Sequence, residues 1–203
     1  MKAVLLNGSP HAKACTFTAL REVADALEQS GVETEIIHAI QGPVHGCTGC
    51  RMCAKTGRCV FDDDLVNEVR EKVAQADGLV IGSPVYYASP NGAFLAFMDR
   101  MFFAGSERFR HKPGAAVVSA RRAGTTASLD ALNKYFLISN MPLVPSQYWP
   151  MVHGNTPEEV AQDEEGLQIM RCLGRNMAWL MRCIATGGPP PAMEEKKRTS
   201  FIR

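Results

Sequence analysis

Four of the seven cysteines lie between positions 47 and 59: Cys47, Cys50, Cys53 and Cys59, spaced C-x2-C-x2-C-x5-C. Thiolates two residues apart can converge on one centre through tight turns, and Gly46, Gly49 and Gly57 make those turns low in strain. Zinc sites usually pair two separated CxxC knuckles or add histidines, and the first three cysteines here crowd too closely for that. A cubane accepts the geometry. The run C-x2-C-x2-C-x3-C-P sends its fourth cysteine to a second cluster, whereas the longer x5 gap here lets Cys59 return to the same one. Three chemistries therefore stand open for the stretch 45–61: a 4Fe–4S cluster, zinc, or redox-active thiols. Structural disulfides do not suit a chain read as cytoplasmic.

A second candidate is "LNGSPHAKACTFTAL" (6–20), which joins a strand to a helix. It has a single glycine, Gly8, so it is neither a GxGxxG nor a GxxxxGK[ST] loop. It does carry Ser9, Thr16 and Thr18 beside the amides of a helix start. Such an end attracts a phosphate through aligned N–H groups and the helix dipole. The plainer alternative is that Ser9 and Thr16 only turn the chain and cap the helix. Cys15 is read as a small packing residue, and Cys172 and Cys183 as core or interface positions on the last helix.

The elements that must position these residues alternate. Strands are expected at 2–6, 33–39, 78–87, 114–120 and within 141–149. Helices are expected at 16–30, 64–76, 91–104, 125–138 and 157–185. The segment "GLVIGSPVYY" begins as a nearly continuous apolar run, which suits a parallel strand buried on both faces. Five such repeats predict an α/β domain over 1–186 with a parallel sheet. The cysteine stretch is an insertion at 45–61, and the proline-rich segment 187–203 is an arm. In open sheets of this kind ligands bind beyond the carboxyl ends of the strands. The loops to inspect are thus 7–16, 83–92 and 119–126, and the cysteine stretch, following strand two, is expected at the same edge.

Composition removes other classes. With 46% hydrophobic and 21% charged residues, the 203-residue chain has material for a real core. A net charge of +1 creates no general attraction for nucleic acid or an anionic membrane. There is no apolar run long enough to cross a bilayer, and "MKAVLLNGSP" lacks the length of a signal peptide. The helix at 91–104 is apolar almost all round, which predicts deep burial or a homodimer or homotetramer contact. No Ser–His–Asp set or paired carboxylates are found.

Together, "NGSPHAKACTFTAL", "GSPVYYASPNGAFLAFMDR" and the compact cysteine run resemble the flavodoxin-like NAD(P)H-dependent FMN reductases, and more narrowly their iron–sulfur flavoprotein branch. The resemblance implies a five-stranded parallel sheet of order 2-1-3-4-5, with FMN at its carboxyl edge. It implies that Ser9, Thr16, Phe17 and Thr18 hold the FMN phosphate. Pro84, Val85, Tyr86 and Tyr87 would line the isoalloxazine, and Ser119 to Gly124, including Arg121 and Arg122, would border its pyrimidine side. It also implies a 4Fe–4S cluster on Cys47, Cys50, Cys53 and Cys59. "SARRAGTT" departs from the family by placing two arginines where a glycine-rich turn is common. Arg121 or Arg122 would stabilise negative charge on reduced FMN, or grip the 2′-phosphate of NADPH. Trp149 and His153 would roof the pocket, or His153 would be a plain loop residue. The expected activity is transfer of a hydride from NADH or NADPH to FMN, then of electrons to a small-molecule acceptor, a protein or the cluster. The rival expectation is an electron carrier between redox proteins.

Overall fold

The computed structural model describes residues 1–195 together with 197, 199 and 201. Five strands run parallel: β1 (Lys2–Asn7), β2 (Glu33–His38), β3 (Gly78–Tyr86), β5 (Gly114–Ala120) and β6 (Met151–His153), in the order β2-β1-β3-β5-β6. The two-residue β4 (Ser89–Pro90) folds back antiparallel on the end of β3. With β4 set aside, the order is the expected 2-1-3-4-5, and the fold is flavodoxin-like.

Period-two alternation gives each inner strand two buried faces. Val4 and Leu6 of β1, Leu79 and Ile81 of β3, and Ala116 and Val118 of β5 join one core. There they meet α3 (Val66–Gln75), α4 (Gly92–Phe109) and α5 (Thr125–Ile138). Ala3 and Leu5, Val80, and Ala115 and Val117 point the other way. They pack on α1 (Cys15–Gln29) and α7 (Glu164–Thr186). Short helices α2 (Cys53–Thr56) and α6 (Pro157–Val160) complete the chain. Burying one such leucine fully contributes roughly 1.5–3 kcal/mol, so the inner strands are the rigid platform for the loops at their ends.

Two expected elements are corrected. The fifth strand does not lie within 141–149 but at Met151–His153, and Leu143 makes only an isolated bridge to Gly114. Pro142 and Pro145 remove two backbone donors from that stretch, which does not sustain a ladder. The last helix is not continuous from 157. It breaks at 161–163, because Asp163 caps a new start by accepting from the Gly166 amide and also accepts from the His153 amide at the end of β6. The apolar helix α4 buries Phe94, Phe97, Met98, Met101 and Phe102, which answers its composition; Phe103 alone among its phenylalanines stands well exposed.

Residues 187–195 carry no regular structure and are exposed. The last part of the expected arm, at positions 196, 198, 200, 202 and 203, lies outside the described residues. Among the described residues no helix is long and apolar enough to cross a membrane.

Candidate functional site

The parallel register puts the carboxyl ends of β1, β3 and β5 on one edge, where three loops meet. The first loop is coiled by its own side chains. The Asn7 amide donates to the carbonyls of His11 and Ala12, and its oxygen accepts from the Ser9 amide. The Ser9 hydroxyl accepts from the His11 amide. Pro10 to Lys13 are left exposed around the start of α1. That start has Ala14 as its N-cap, with no side chain to satisfy the first amides. An uncapped helix of 15 residues directed at an exposed loop is a suitable receptor for a phosphate.

Among the expected phosphate ligands, Phe17 and Thr18 sit half-buried on the first turn. Ser9 and Thr16 are buried, at 2% and 1% exposure. The Thr16 hydroxyl is 2.8 Å from that of Ser119, a bond between α1 and β5 across the sheet end. The Thr16 hydroxyl is thus engaged with Ser119, while the first-turn amides have no side-chain cap.

The second loop is a hairpin whose two tip residues, Tyr87 and Ala88, both have left-handed backbone, with φ of 52° and 58°. Non-glycine residues in that region cost roughly 1–2 kcal/mol each, and such strain collects at functional sites. Pro84 and Val85 are half-buried, Tyr86 is exposed and Tyr87 fully so. The third loop presses on this hairpin. Gly124 has φ +89°, and a Cβ there would stand 2.6 Å from Ala88 Cα and 3.0 Å from Val85 Cγ1. Arg121 and Arg122 are exposed beside it. The edge therefore presents uncapped helix amides, a projecting tyrosine hairpin and two arginines. That combination fits a flat anionic cofactor with one phosphate, as FMN is.

Two residues that fix this edge are missed by sequence reasoning. Asn91 caps α4 by accepting from the Ala93 amide, and its own amide donates to the Gly8 carbonyl. The buried Ser83 hydroxyl accepts from the Asn91 amide nitrogen. The hairpin and the first loop are thereby tied together. The signal was present as "SPNG", an N-cap asparagine before an apolar helix. Trp149 precedes β6 and lines a hollow of about 500 Å³ with Ala116, Asn133 and Val144. It stands before the first residue of β6, not at the carboxyl end of that strand. His153 does end β6 at that edge, with its ring 3.9 Å from Asp163.

Cys47, Cys50, Cys53 and Cys59 line one pocket, together with Phe61 and with Arg100, Phe103 and Ala104 of α4. This corrects the expectation that the cysteine stretch shares the carboxyl edge. Arg100 lies eight residues along α4 from Gly92, about 12 Å at 1.5 Å per residue. The insertion leans on the flank of the helix because its buried anchor points are there. Cys47 and Cys50 are exposed, Cys53 and Cys59 half-buried, and all four are free thiols. Burial raises the Cys53 thiol pKa, with Cys47 and Cys50 adding to it. Among the described residues no three His, Cys, Asp or Glu side chains stand close enough to hold a single metal ion. One zinc ion needs every sulfur about 2.3 Å from one point. A cluster of several irons takes one cysteine per iron, so thiols spaced round a pocket fit it better.

The sequence pattern of the family described as NADPH-dependent FMN reductase matches residues 1–156. An iron-sulfur flavoprotein of Methanocaldococcus jannaschii is 32% identical, over 91% of this chain and 99% of its own length. An iron-sulfur flavoprotein of Archaeoglobus fulgidus is 34% identical, over 84% of this chain and 86% of its own. Among solved structures, RosB with bound intermediate OHC-RP superposes with a TM-score of 0.73 at 15% identity, covering 100% of this chain and 94% of that one. The NAD(P)H:quinone oxidoreductase of Methanothermobacter marburgensis gives 0.66 at 17% identity, covering 87% and 96%. The two structural likenesses bear on the fold. Sequence likeness over most of the chain carries the rest: this chain belongs to the NADPH-dependent FMN reductase family and is an oxidoreductase that uses FMN and NAD(P)H.

Proposed function

We propose that this chain is an iron–sulfur flavoprotein reductase, in which electrons from NAD(P)H reach a 4Fe–4S cluster on Cys47, Cys50, Cys53 and Cys59 by way of FMN. The observation that carries this reading is the pocket lined by all four cysteines on α4, the helix whose N-terminus is tied into the flavin edge through Asn91. The names of the two relatives support it. When bound, FMN supplies hydride acceptance from the nicotinamide and release of electrons one or two at a time.

The chain's own residues bind and orient. The first-turn amides of α1 and the Thr18 hydroxyl hold the phosphate, with Phe17 beside them, while Ser9, Thr16 and Ser119 keep the cradle rigid. Pro84, Val85, Tyr86 and Tyr87 present one wall to the isoalloxazine, and Gly124 lets the third loop close on that wall. Arg121 and Arg122 supply positive charge for reduced FMN or for the 2′-phosphate of NADPH. No side-chain acid or base is needed for the hydride step, so positioning and electrostatics are the protein's contribution.

The domain reading is one unit over 1–186 with the cysteine insertion, and an arm at 187–203 that contacts a partner subunit. A homodimer or homotetramer is supported by exposed apolar side chains on the α4 and α5 side, Phe103, Leu137 and Ile138. A cytoplasmic location suits unpaired cysteines.

Anaerobic purification with a visible spectrum and iron, sulfide and zinc analysis tests the reading. About four irons per chain and rapid bleaching of the flavin by NAD(P)H are expected. Zinc in place of iron, or no metal, overturns it. The second reading is a carrier between redox proteins. It is favoured by the exposure of Cys47 and Cys50, which would bring the cluster to a docking surface. A flavin reduced by ferredoxin-like donors but not by NAD(P)H would select it. The acceptor, whether quinone, nitro compound, free flavin or protein, is found by competing those classes against the bleached enzyme.

A further inference from the structure

α4 sends one charged side chain into the interior. Arg100 is 1% exposed, and its partner Asp64 is 8% exposed. A guanidinium has five N–H donors, and every one is used. Nε donates to Cys59 Sγ at 3.2 Å. Nη1 donates to Asp64 Oδ2 and, at 3.4 Å, to the His45 carbonyl. Nη2 donates to the Phe61 carbonyl at 3.0 Å and to Asp64 Oδ1 at 3.2 Å. The guanidinium carbon also lies 5.2 Å from the Phe61 ring centroid. All five acceptors belong to the segment 45–64, so one side chain sews the cysteine insertion onto the helix.

A buried ion pair is a poor source of stability, because desolvation offsets much of the attraction. An apolar residue would pack α4 at least as well, so this arginine needs a reason beyond packing. The sulfur supplies one. Cys59 receives a charge-assisted hydrogen bond, while among the described residues no side-chain donor reaches Cys47, Cys50 or Cys53. The four thiols are therefore inequivalent before any metal arrives.

We propose that Arg100 is a positioning residue that fixes Cys59 as the anchored ligand and sets the reduction potential of the cluster, with Asp64 as its counterweight. The proposal rests on the reading that the four cysteines hold a 4Fe–4S cluster. The couple is a single electron added to the cluster, with no bond made or broken. That electron adds negative charge, part of which resides on the ligand sulfurs. A donor aimed at one sulfur stabilises the reduced form and raises the potential. Asp64 offsets the guanidinium charge and limits the rise.

The two partners should thus move the potential in opposite directions. Arg100→Lys keeps the charge but loses the fork that reaches Cys59 and Asp64 together. Asp64→Asn keeps the shape and frees the charge. The test is an anaerobic redox titration of the purified holoprotein with dithionite as electron donor, followed by electron paramagnetic resonance of the reduced cluster and iron analysis. For R100K with iron retained, the expected shift is downward by about 59 mV, equivalent to about tenfold in the one-electron equilibrium. For D64N it is upward. An R100K protein with full iron and an unchanged potential overturns the proposal and leaves the cluster reading intact. Wild-type protein without iron and sulfide overturns both. If R100K loses its iron, D64N decides: an upward shift supports the proposal, and no shift or a downward one overturns it.

Discussion

Gly124→Ala isolates the contact that closes the flavin edge. The residue sits at φ +89°, where an alanine costs roughly 1–2 kcal/mol. Its new methyl would also stand 2.6 Å from Ala88 Cα and 3.0 Å from both Ala88 Cβ and Val85 Cγ1. The first of these neighbours is backbone and cannot rotate away. Forcing a methyl into such a site adds roughly 1–3 kcal/mol. The cheapest relief is for the Tyr87–Ala88 hairpin and the third loop to part, which opens the wall proposed for the isoalloxazine. If only 2 kcal/mol of this cost is drawn from binding, FMN affinity falls about 30-fold, at 1.4 kcal/mol per tenfold. Gly31→Ala is the control. Gly31 has φ +80° with nothing within 4 Å of a new Cβ, and it lies beyond the C-terminal end of α1, far from the edge. It carries the backbone penalty without the collision, so it should lower Tm by a few degrees and leave flavin affinity alone. Flavin fluorescence quenching gives the affinity and calorimetry the Tm. A G124A protein that binds FMN as tightly as wild type refutes the reasoning, and so does a G31A protein that loses flavin affinity equally.

Three further outcomes follow from the same geometry. Ala88→Gly removes a left-handed penalty at φ 58° and, after the added freedom of the unfolded chain, should stabilise by about 0.5–1 kcal/mol; a lower Tm would contradict the strain. Ser119→Ala leaves the buried Thr16 hydroxyl without its partner at 2.8 Å, which should cost about 1–3 kcal/mol in denaturant unfolding, and a neutral result would mean that the bond does not form. Glu71 is held at about 2 by the Arg108 guanidinium, whose two N–H···O bonds are 2.6 and 2.7 Å. Its folded pKa lies below the unfolded one, so its contribution is present above the ordinary value of 4.5 and is lost as pH falls toward about 2. The pair is exposed, which limits it to less than about 1 kcal/mol. The stability gap between wild type and Glu71→Gln should narrow across that window, and a constant gap would show that the pair contributes nothing.

The sequence was most readable where one periodicity acted alone. The strands at 2–7, 78–86 and 114–120 and the helices at 15–29 and 125–138 stand within a residue or two of expectation, because apolar alternation and helical stripes are local signals. It was least readable where a tertiary contact overruled local pattern. The short strand at 151–153 exists because Val118 and Ala120 offer it pairing, and the prolines before it mask that. The break before α7 exists because Asp163 serves two amides at once. At the candidate site the residue types were legible but their roles were not. Ser9 and Thr16 read equally well as phosphate ligands or as caps, and neither their burial nor the Thr16–Ser119 bond could be read from local pattern. Asn91 and Arg100 were hidden because each acts on residues far away in the chain, 83 and 41 positions off.

Those two hidden residues sit on the same helix, and that joins the two chemistries. Asn91 caps α4 and holds the first loop through the Gly8 carbonyl. Nine residues on, or about 13 Å at 1.5 Å per residue, Arg100 grips the cysteine insertion. Between them Phe94, Phe97 and Met98 are fully buried, so the segment cannot slide or roll without opening the core. A helix buried along its middle and tied at both ends resists changes in the separation of the candidate flavin edge and the cysteine pocket. The apolar character of α4 therefore has a use beyond filling the interior. It makes the helix a ruler between the two candidate redox sites, and a cavity cut in its middle, at Phe97, would loosen both sites together, whereas a change at either end would disturb one.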